Sequence, residues 1–308
     1  MNKRKWLWIG GMLPVILGLV GLIIYFAFPQ LLLGMVRMGY ERNARVTAKK
    51  VIVDGYPISY YEGGKADAPK LILIHGFGDS KISFLQTAKW LTKTYRVLIP
   101  EVPGFGTSPH DTKRSYDIAS QVTIFHKMFG KLGYKKFALG GNSMGGHIAA
   151  AYTLRHPKEV SKLILLNAAG VKAPQTGIPY APGRHPMKSQ KDFLTFLKKC
   201  FYKLPSIPGP VLSFLTKQAI KNAKWNQKIG DDIRKGRDYL LNAKVANITT
   251  PTLILWGDHD RIVAPAIGKV YHAQIKDSKW IMMKKCGHLP QNEYPHKTAK
   301  HILSFLKK

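Results

Sequence analysis

The sequence predicts an α/β fold built on a doubly wound, mostly parallel sheet. Three observations carry that reading. Short continuous apolar runs at Leu71–Ile74, Arg96–Pro100, Phe137–Leu139, Lys162–Asn167, Thr252–Trp256 and Lys279–Met283 suit strands buried on both faces. Segments of helical period separate many of them, as parallel crossovers require. Between one strand and an alanine-rich helix stands Gly141-Asn142-Ser143-Met144-Gly145, a G-x-S-x-G pattern in strand–turn–helix context. At 308 residues and 45% hydrophobic, the chain can bury one sizeable core.

The charge concerns partners rather than fold. Lys and Arg total 48 against 17 acidic residues, a net +31, which suits an anionic membrane surface. Nucleic acid ranks well below lipid, since the basic residues are scattered and no zinc-finger or RNP-type run appears. Cys200 and Cys286 make no disulfide framework. Residues 1–5 form a basic flank, and Trp6 to Phe28 runs 23 residues without a charge. About 20 apolar residues span a bilayer core, and Trp6, Trp8 and Tyr25 fall near the ends, where aromatic rings anchor. The run is too long for a signal-peptide core and has no small-x-small cleavage site. The expectation is an uncleaved single-pass anchor over 6–28, in the inner membrane if the source is bacterial. Lys3, Arg4 and Lys5 on one side, and Arg37, Arg42, Arg45, Lys49 and Lys50 on the other, leave its orientation open.

Residues 29–50 read as a juxtamembrane linker, Leu31–Met38 being an interfacial continuation. The core opens at Val51 with a hairpin around Asp54-Gly55. The strand Leu71–Ile74 ends in His75-Gly76-Phe77-Gly78, and helices follow at Phe84–Leu91 and, after the next strand, at Tyr116–Leu132, closed by Gly133. The core runs over 51–170 and resumes over 247–308, ending in a helix at His301–Leu306. Between them, residues 171–246 are rich in proline and break the alternation. Here Phe193, Leu194, Phe196, Leu197, Cys200 and Phe201 share one helical face, with Lys198, Lys199 and Lys203 around the rest. That face either packs on the core or belongs to a lid whose apolar, basic surface meets lipid.

A serine is a weak nucleophile until a base takes its proton, and the base needs an acid to fix its tautomer. Ser143, in a strained turn flanked by glycines, is the nucleophile candidate. His288 in Cys286-Gly287-His288 is the base. Asp258 and Asp260 share the turn after Thr252–Trp256, and either could be the acid. The Met144 N–H at the helix start, and the Phe77 N–H in the loop after the first buried parallel strand, are the candidate oxyanion donors. Phe77, Met144 and Leu289 are the candidate substrate contacts. His75, His147 and His259 lack any metal-binding spacing and read as structural, so neither metal nor cofactor is expected. Cys286 reads as inert packing, although Lys284 and Lys285 could lower its pKa if they point its way.

His75-Gly76-Phe77-Gly78-Asp79-Ser80, Pro103-Gly104-Phe105-Gly106-Thr107-Ser108, Gly141-Asn142-Ser143-Met144-Gly145-Gly146-His147-Ile148, Trp256-Gly257-Asp258-His259-Asp260-Arg261 and Cys286-Gly287-His288-Leu289-Pro290 together make a resemblance. From about Val51 to the C-terminus the chain resembles the α/β-hydrolase superfamily. Within it the chain looks like bacterial family V lipases and esterases, and like membrane-anchored monoacylglycerol lipases. The resemblance implies an eight-stranded, mostly parallel sheet with helices on both faces and a helical cap at about 171–246. It selects Asp260 over Asp258. It also implies a serine hydrolase of carboxylic esters acting on a lipid or other ester. Glu101 departs from the pattern, since many relatives carry Asp before Val-Pro-Gly. The Gly-Asn-Ser-Met-Gly-Gly run is shared with hydrolases that cleave carbon–carbon bonds of ring-fission products. Those usually show Gly-Pro-Gly where this chain has Gly78-Asp79-Ser80. A non-catalytic ligand-binding protein of the same fold is the other alternative. Oligomeric state, acyl length and head group are not legible.

Overall fold

The structure is a computed structural model that describes residues 18, 21–22, 25–173, 182–184 and 187–307. Eight strands form one sheet: β1 (Val46–Val53), β2 (Tyr56–Gly63), β3 (Lys70–Ile74), β4 (Arg96–Pro100), β5 (Phe137–Asn142), β6 (Val160–Leu166), β7 (Thr252–Gly257) and β8 (Ser278–Met283). Their order is β1-β2-β4-β3-β5-β6-β7-β8. The β1–β2 and β2–β4 pairs are antiparallel, and every pair from β4–β3 onward is parallel.

The strands are apolar throughout because both faces are covered. Ile72, Ile74, Leu98, Ile254 and Trp256 point to one layer, with Leu71, Leu73, Val97, Leu253 and Leu255 in the other. The first layer is filled from α3 (Ile118–Lys131), α4 (Met144–Arg155) and α8 (Pro265–Gln274). The second is filled from α2 (Leu85–Leu91) and α10 (Pro295–Leu306). The side-chain period of two thus divides each strand between two cores.

Among the described residues, three α-helices stand between β6 and β7: α5 (Gln190–Cys200), α6 (Gly209–Lys221) and α7 (Ala223–Lys235). A short α9 (Pro290–Glu293) precedes α10. Asp117 caps α3, its side chain accepting the Ser120 N–H at 2.6 Å.

Several boundaries differ from the sequence reading. The stretch 29–50 holds a helix, α1 (Pro29–Ala44), and the first five residues of β1. β1 is an edge strand, exposed at four of its first five positions, so no alternating apolar pattern marks it. Asp54 (φ 47°) and Gly55 (φ 74°) make the expected turn, its left-handed pair matching a type I′ hairpin. The final helix begins at Pro295, six residues before the expected start. The anchor read over 6–28 lies mostly outside the described residues. Among the described residues, no helix is long and apolar enough to cross a membrane. α1 packs on α2 and α6, while Leu31, Met35, Val36 and Met38 remain exposed beside Phe26 and Phe28.

Candidate active site

The carboxyl ends of β3, β5, β6 and β7 and the segment after β8 converge on one pocket. Ser143, between β5 and α4, holds φ 56° and ψ −119°, a left-handed-side conformation unusual for a residue with a side chain. The flanking glycines make the turn possible. A Cβ on Gly145 would stand 2.1 Å from the Ile74 carbonyl oxygen, and one on Gly141 would stand 2.3 Å from the Gly145 backbone. Close approach also governs Gly76, where a Cβ would come within 3.2 Å of the Ser143 Cβ.

His288 follows β8 and is 5% exposed. Its Nδ1 lies 2.7 Å from Oδ2 of Asp260. Asp260 is held from both sides: Oδ1 accepts the Ile262 and Val263 N–H groups at 2.8 and 2.9 Å, and Oδ2 accepts the Asn167 amide at 2.6 Å. The two aspartates of that turn are now distinguished. Asp258 turns away, its Oδ1 meeting His259 Nδ1 at 2.6 Å and accepting the Cys286 N–H at 3.3 Å. The backbone of His288 is fixed as well: its N–H donates to the Cys200 carbonyl at 2.7 Å, and its carbonyl accepts the Asn142 amide at 3.0 Å.

A pocket of about 320 Å³ brings together Ser143, His288, Phe77 and Leu289. Its apolar wall comes from α5 and the residue after it: Phe193, Phe196, Leu197, Cys200 and Phe201. Five of the six residues predicted to share a face thus turn to the pocket, Leu194 being the exception. A second chamber of about 290 Å³ shares Phe77, Gly78, Phe193 and Phe196 and reaches α6 and α7. The Met144 side chain is 1% exposed within the core, which leaves its N–H as the group it could offer a substrate.

The loop after β3 is clamped at both ends. His75 Nε2 stands 2.9 Å from the Val102 nitrogen and 3.2 Å from Glu101 Oε1, and its Nδ1 meets the Gly76 carbonyl at 2.9 Å. Glu101, fully buried, accepts the Lys81 N–H at 2.9 Å on Oε1 and the Lys81 ammonium at 2.8 Å on Oε2. Burial alone would raise the Glu101 pKa, but His75 and Lys81 outweigh it and hold the carboxyl down to about 2. The same carboxyl excludes a side chain at Gly106, where a Cβ would lie 2.2 Å from it.

His147 takes no part in the pocket. Its Nε2 donates to the Asp238 carbonyl at 2.7 Å, and burial lowers its pKa to about 4, which keeps it neutral. Burial raises both cysteine thiols, so Lys284 and Lys285, both exposed, do not activate Cys286. Sequence reasoning missed Asn167, Asn142 as a tether, and Glu293. Oε1 of Glu293 accepts the Gly287 N–H at 2.7 Å and Oε2 the Tyr202 N–H at 2.8 Å. Only Asn142 carried a signal, its place inside the G-x-S-x-G run.

A family model described as alpha/beta hydrolase fold matches residues 69–295. The chain belongs to that family. It is 32% identical to Lipase 1 of Psychrobacter immobilis over 276 residues, covering 86% of each chain. It is 26% identical to Monoacylglycerol lipase ABHD6 of Homo sapiens, covering 92% of this chain and 88% of that one. A solved structure of a membrane phospholipase A, described as a bacterial virulence factor, superposes with a TM-score of 0.85. It is 34% identical and covers 99% of this chain and 98% of its own.

Proposed function

We propose that this α/β-hydrolase is a serine hydrolase of carboxylic esters, of lipase or monoacylglycerol lipase type. The observation that carries the reading is the His288 Nδ1 to Asp260 Oδ2 contact in the pocket that also holds Ser143. With Nδ1 committed to Asp260, Nε2 is free to take the serine proton.

Ser143 Oγ attacks the ester carbonyl as His288 accepts its proton. The carbonyl oxygen becomes an oxyanion, held by the Phe77 and Met144 N–H groups. Asp260 stabilises the imidazolium, and its own bonds to Asn167, Ile262 and Val263 keep it aimed. His288 then gives the proton to the leaving alcohol, and the acyl group remains on Ser143. Water enters, loses its proton to His288 and attacks the acyl carbonyl, which releases the acid and restores the serine. The chemistry calls for no metal or cofactor. Phe193, Phe196 and Leu197 supply an apolar wall for the acyl chain, and the helices over 171–246 act as its cap.

The same reading anchors the enzyme in a membrane through 6–28. The uncharged run itself, the exposed apolar side chains of α1 and the membrane phospholipase A among its similar structures support this placement. The net positive charge supports an anionic leaflet.

The test is steady-state hydrolysis of glyceryl and p-nitrophenyl esters, from acetyl to long acyl chains, by wild type and Ser143→Ala. The reading expects turnover that favours medium or long chains and falls by at least about a thousandfold in the variant. Wild-type turnover that survives in Ser143→Ala sinks it.

A further inference from the structure

Lysine outnumbers arginine more than three to one in this basic chain, yet one small cavity reverses the preference. It measures about 260 Å³, lies beside the first turns of α3, and has three arginines in its wall and, among the described residues, no lysine. The arginines come from three separate segments: Arg114 from the loop before α3, Arg155 from the last position of α4, and Arg237 from the turn after α7. Ser115 and Ser120 add hydroxyls. Asp54 is the single acid of the lining among the described residues, and Lys127 pairs with it at 2.5 Å. Among those residues, too, none is shared with the two chambers at Ser143.

The fold sets these arginines in place. The Arg114 guanidinium lies 4.6 Å from the Tyr56 ring centroid, and its side chain is 27% exposed. Asp111 stands 3.9 Å from its Nε, too far for a hydrogen bond, and that buried nitrogen has no hydrogen-bond partner among the described residues. Arg155 Nη1 donates to the Ala119 carbonyl at 3.3 Å, and its Nη2 pairs with Asp238. Asp238 in turn fixes the turn that carries Arg237. Its φ of 65° is unusual for a residue with a side chain. His147 donates to its carbonyl at 2.7 Å, and Lys244 to its Oδ1 at 2.6 Å. Among the described residues, Arg237 itself forms no ion pair.

A guanidinium presents its N–H donors as a flat fork that matches the oxygens of a phosphate, whereas an ammonium is a hydrated point charge. Three such forks around a cavity of this size make room for one phosphoryl group and a few further atoms, with serine hydroxyls to complete its hydrogen bonds. Arg114 and Arg237 lack a close carboxylate, so the anion would match charge that the fold leaves uncompensated. Arg237 belongs to the segment 171–246, and Arg114 and Arg155 to the core on either side of it. We propose that these three arginines form a binding site for a phosphoryl anion, separate from the catalytic pocket, that clasps the exit of the 171–246 segment to the core when filled. The phosphoryl group belongs either to a soluble phosphate or to the head of an anionic lipid. The site stands whether or not Ser143 cleaves esters.

The test is calorimetric titration of the full-length protein in detergent at constant ionic strength, in a Ser143→Ala background so that no lipid probe is consumed. The probes are sodium pyrophosphate and, separately, dihexanoyl-phosphatidate. Saturable binding of about one equivalent of at least one probe is expected, and Arg114→Gln or Arg237→Gln should weaken it by about tenfold or more. Lys300→Gln, in α10 across the sheet, removes the same charge and should change it by less than about twofold. The tighter probe should also slow amide exchange over residues 228–241, and Arg237→Gln should abolish that protection. Arg237 is exposed in a turn, so its variant decides the matter if Arg114→Gln does not fold. Tighter pyrophosphate assigns the site to soluble phosphates, and tighter phosphatidate to a lipid head. No saturable binding of either probe would overturn the site. Equal weakening by Arg237→Gln and Lys300→Gln would overturn it too, since that means diffuse attraction to a chain of net charge +31.

Discussion

His288 Nδ1 and Asp260 Oδ2 stand 2.7 Å apart, with both side chains almost wholly enclosed. Three further donors hold Asp260, so its side chain is fixed before any substrate arrives. Asp260→Asn should keep the shape of the site but present an amide to Nδ1 and favour the wrong imidazole tautomer. The expected loss is on the order of 10³–10⁴-fold in kcat at neutral pH, with an unchanged melting profile as the check. Asp258→Asn, in the same turn but paired with His259, should cost less than about tenfold. A reversed order for the two variants would reassign the acid.

Glu101 ties stability to pH. Its native carboxyl titrates near 2, below the ordinary value of 4.5. A group with a depressed native pKa contributes stability that is fully present above the unfolded value and is lost as pH falls toward the native one. Wild type should therefore lose on the order of 3 kcal/mol between about pH 4.5 and about pH 2 from this group. Glu101→Gln should be destabilised by a similar amount at pH 7, because Lys81 is left buried without its counter-charge. It should also show a flatter profile in that acid window. Urea midpoints at several pH values read both effects.

Two glycines separate packing from propensity. Gly145→Ala drives a methyl into the Ile74 carbonyl, a backbone atom that cannot yield, and should cost about 3 kcal/mol or more. Gly130 lies exposed in α3, and a methyl added there would meet nothing within 4 Å. Its replacement by alanine should stabilise the protein by about 0.5–1 kcal/mol through helix propensity. Thermal unfolding of the two variants should therefore shift in opposite directions.

Cys200 and Cys286 are 4% and 0% exposed, and burial raises both thiols. Native protein at pH 8 should resist iodoacetamide at both positions, while denatured protein takes two labels by intact mass. Fast native labelling of Cys286 would mean that Lys284 and Lys285 do activate it.

The chemistry-bearing residues were legible to unequal degrees. Ser143 and His288 announce themselves because the elbow is a local device whose glycines must stand beside the serine in sequence. Asp258 and Asp260 share one turn, and composition cannot say which carboxylate faces His288; that depends on Asn167, 93 positions away, and on the Ile262 and Val263 amides. Glu293 was illegible for the same reason, since its partners, the Gly287 and Tyr202 amides, stand elsewhere in the chain. In the fold, the parallel strands read plainly as apolar runs, whereas β1 and α1 did not. Both expose most of their side chains, so no burial period is written into them.

The most direct test of the central claim is to trap the acyl group. Wild type mixed with p-nitrophenyl laurate and quenched in acid should show a nitrophenol burst, and a lauroyl mass increment confined to the peptide that carries Ser143. His288→Ala should leave both below detection. A burst with the increment on another residue, or sustained turnover by Ser143→Ala, would contradict the account.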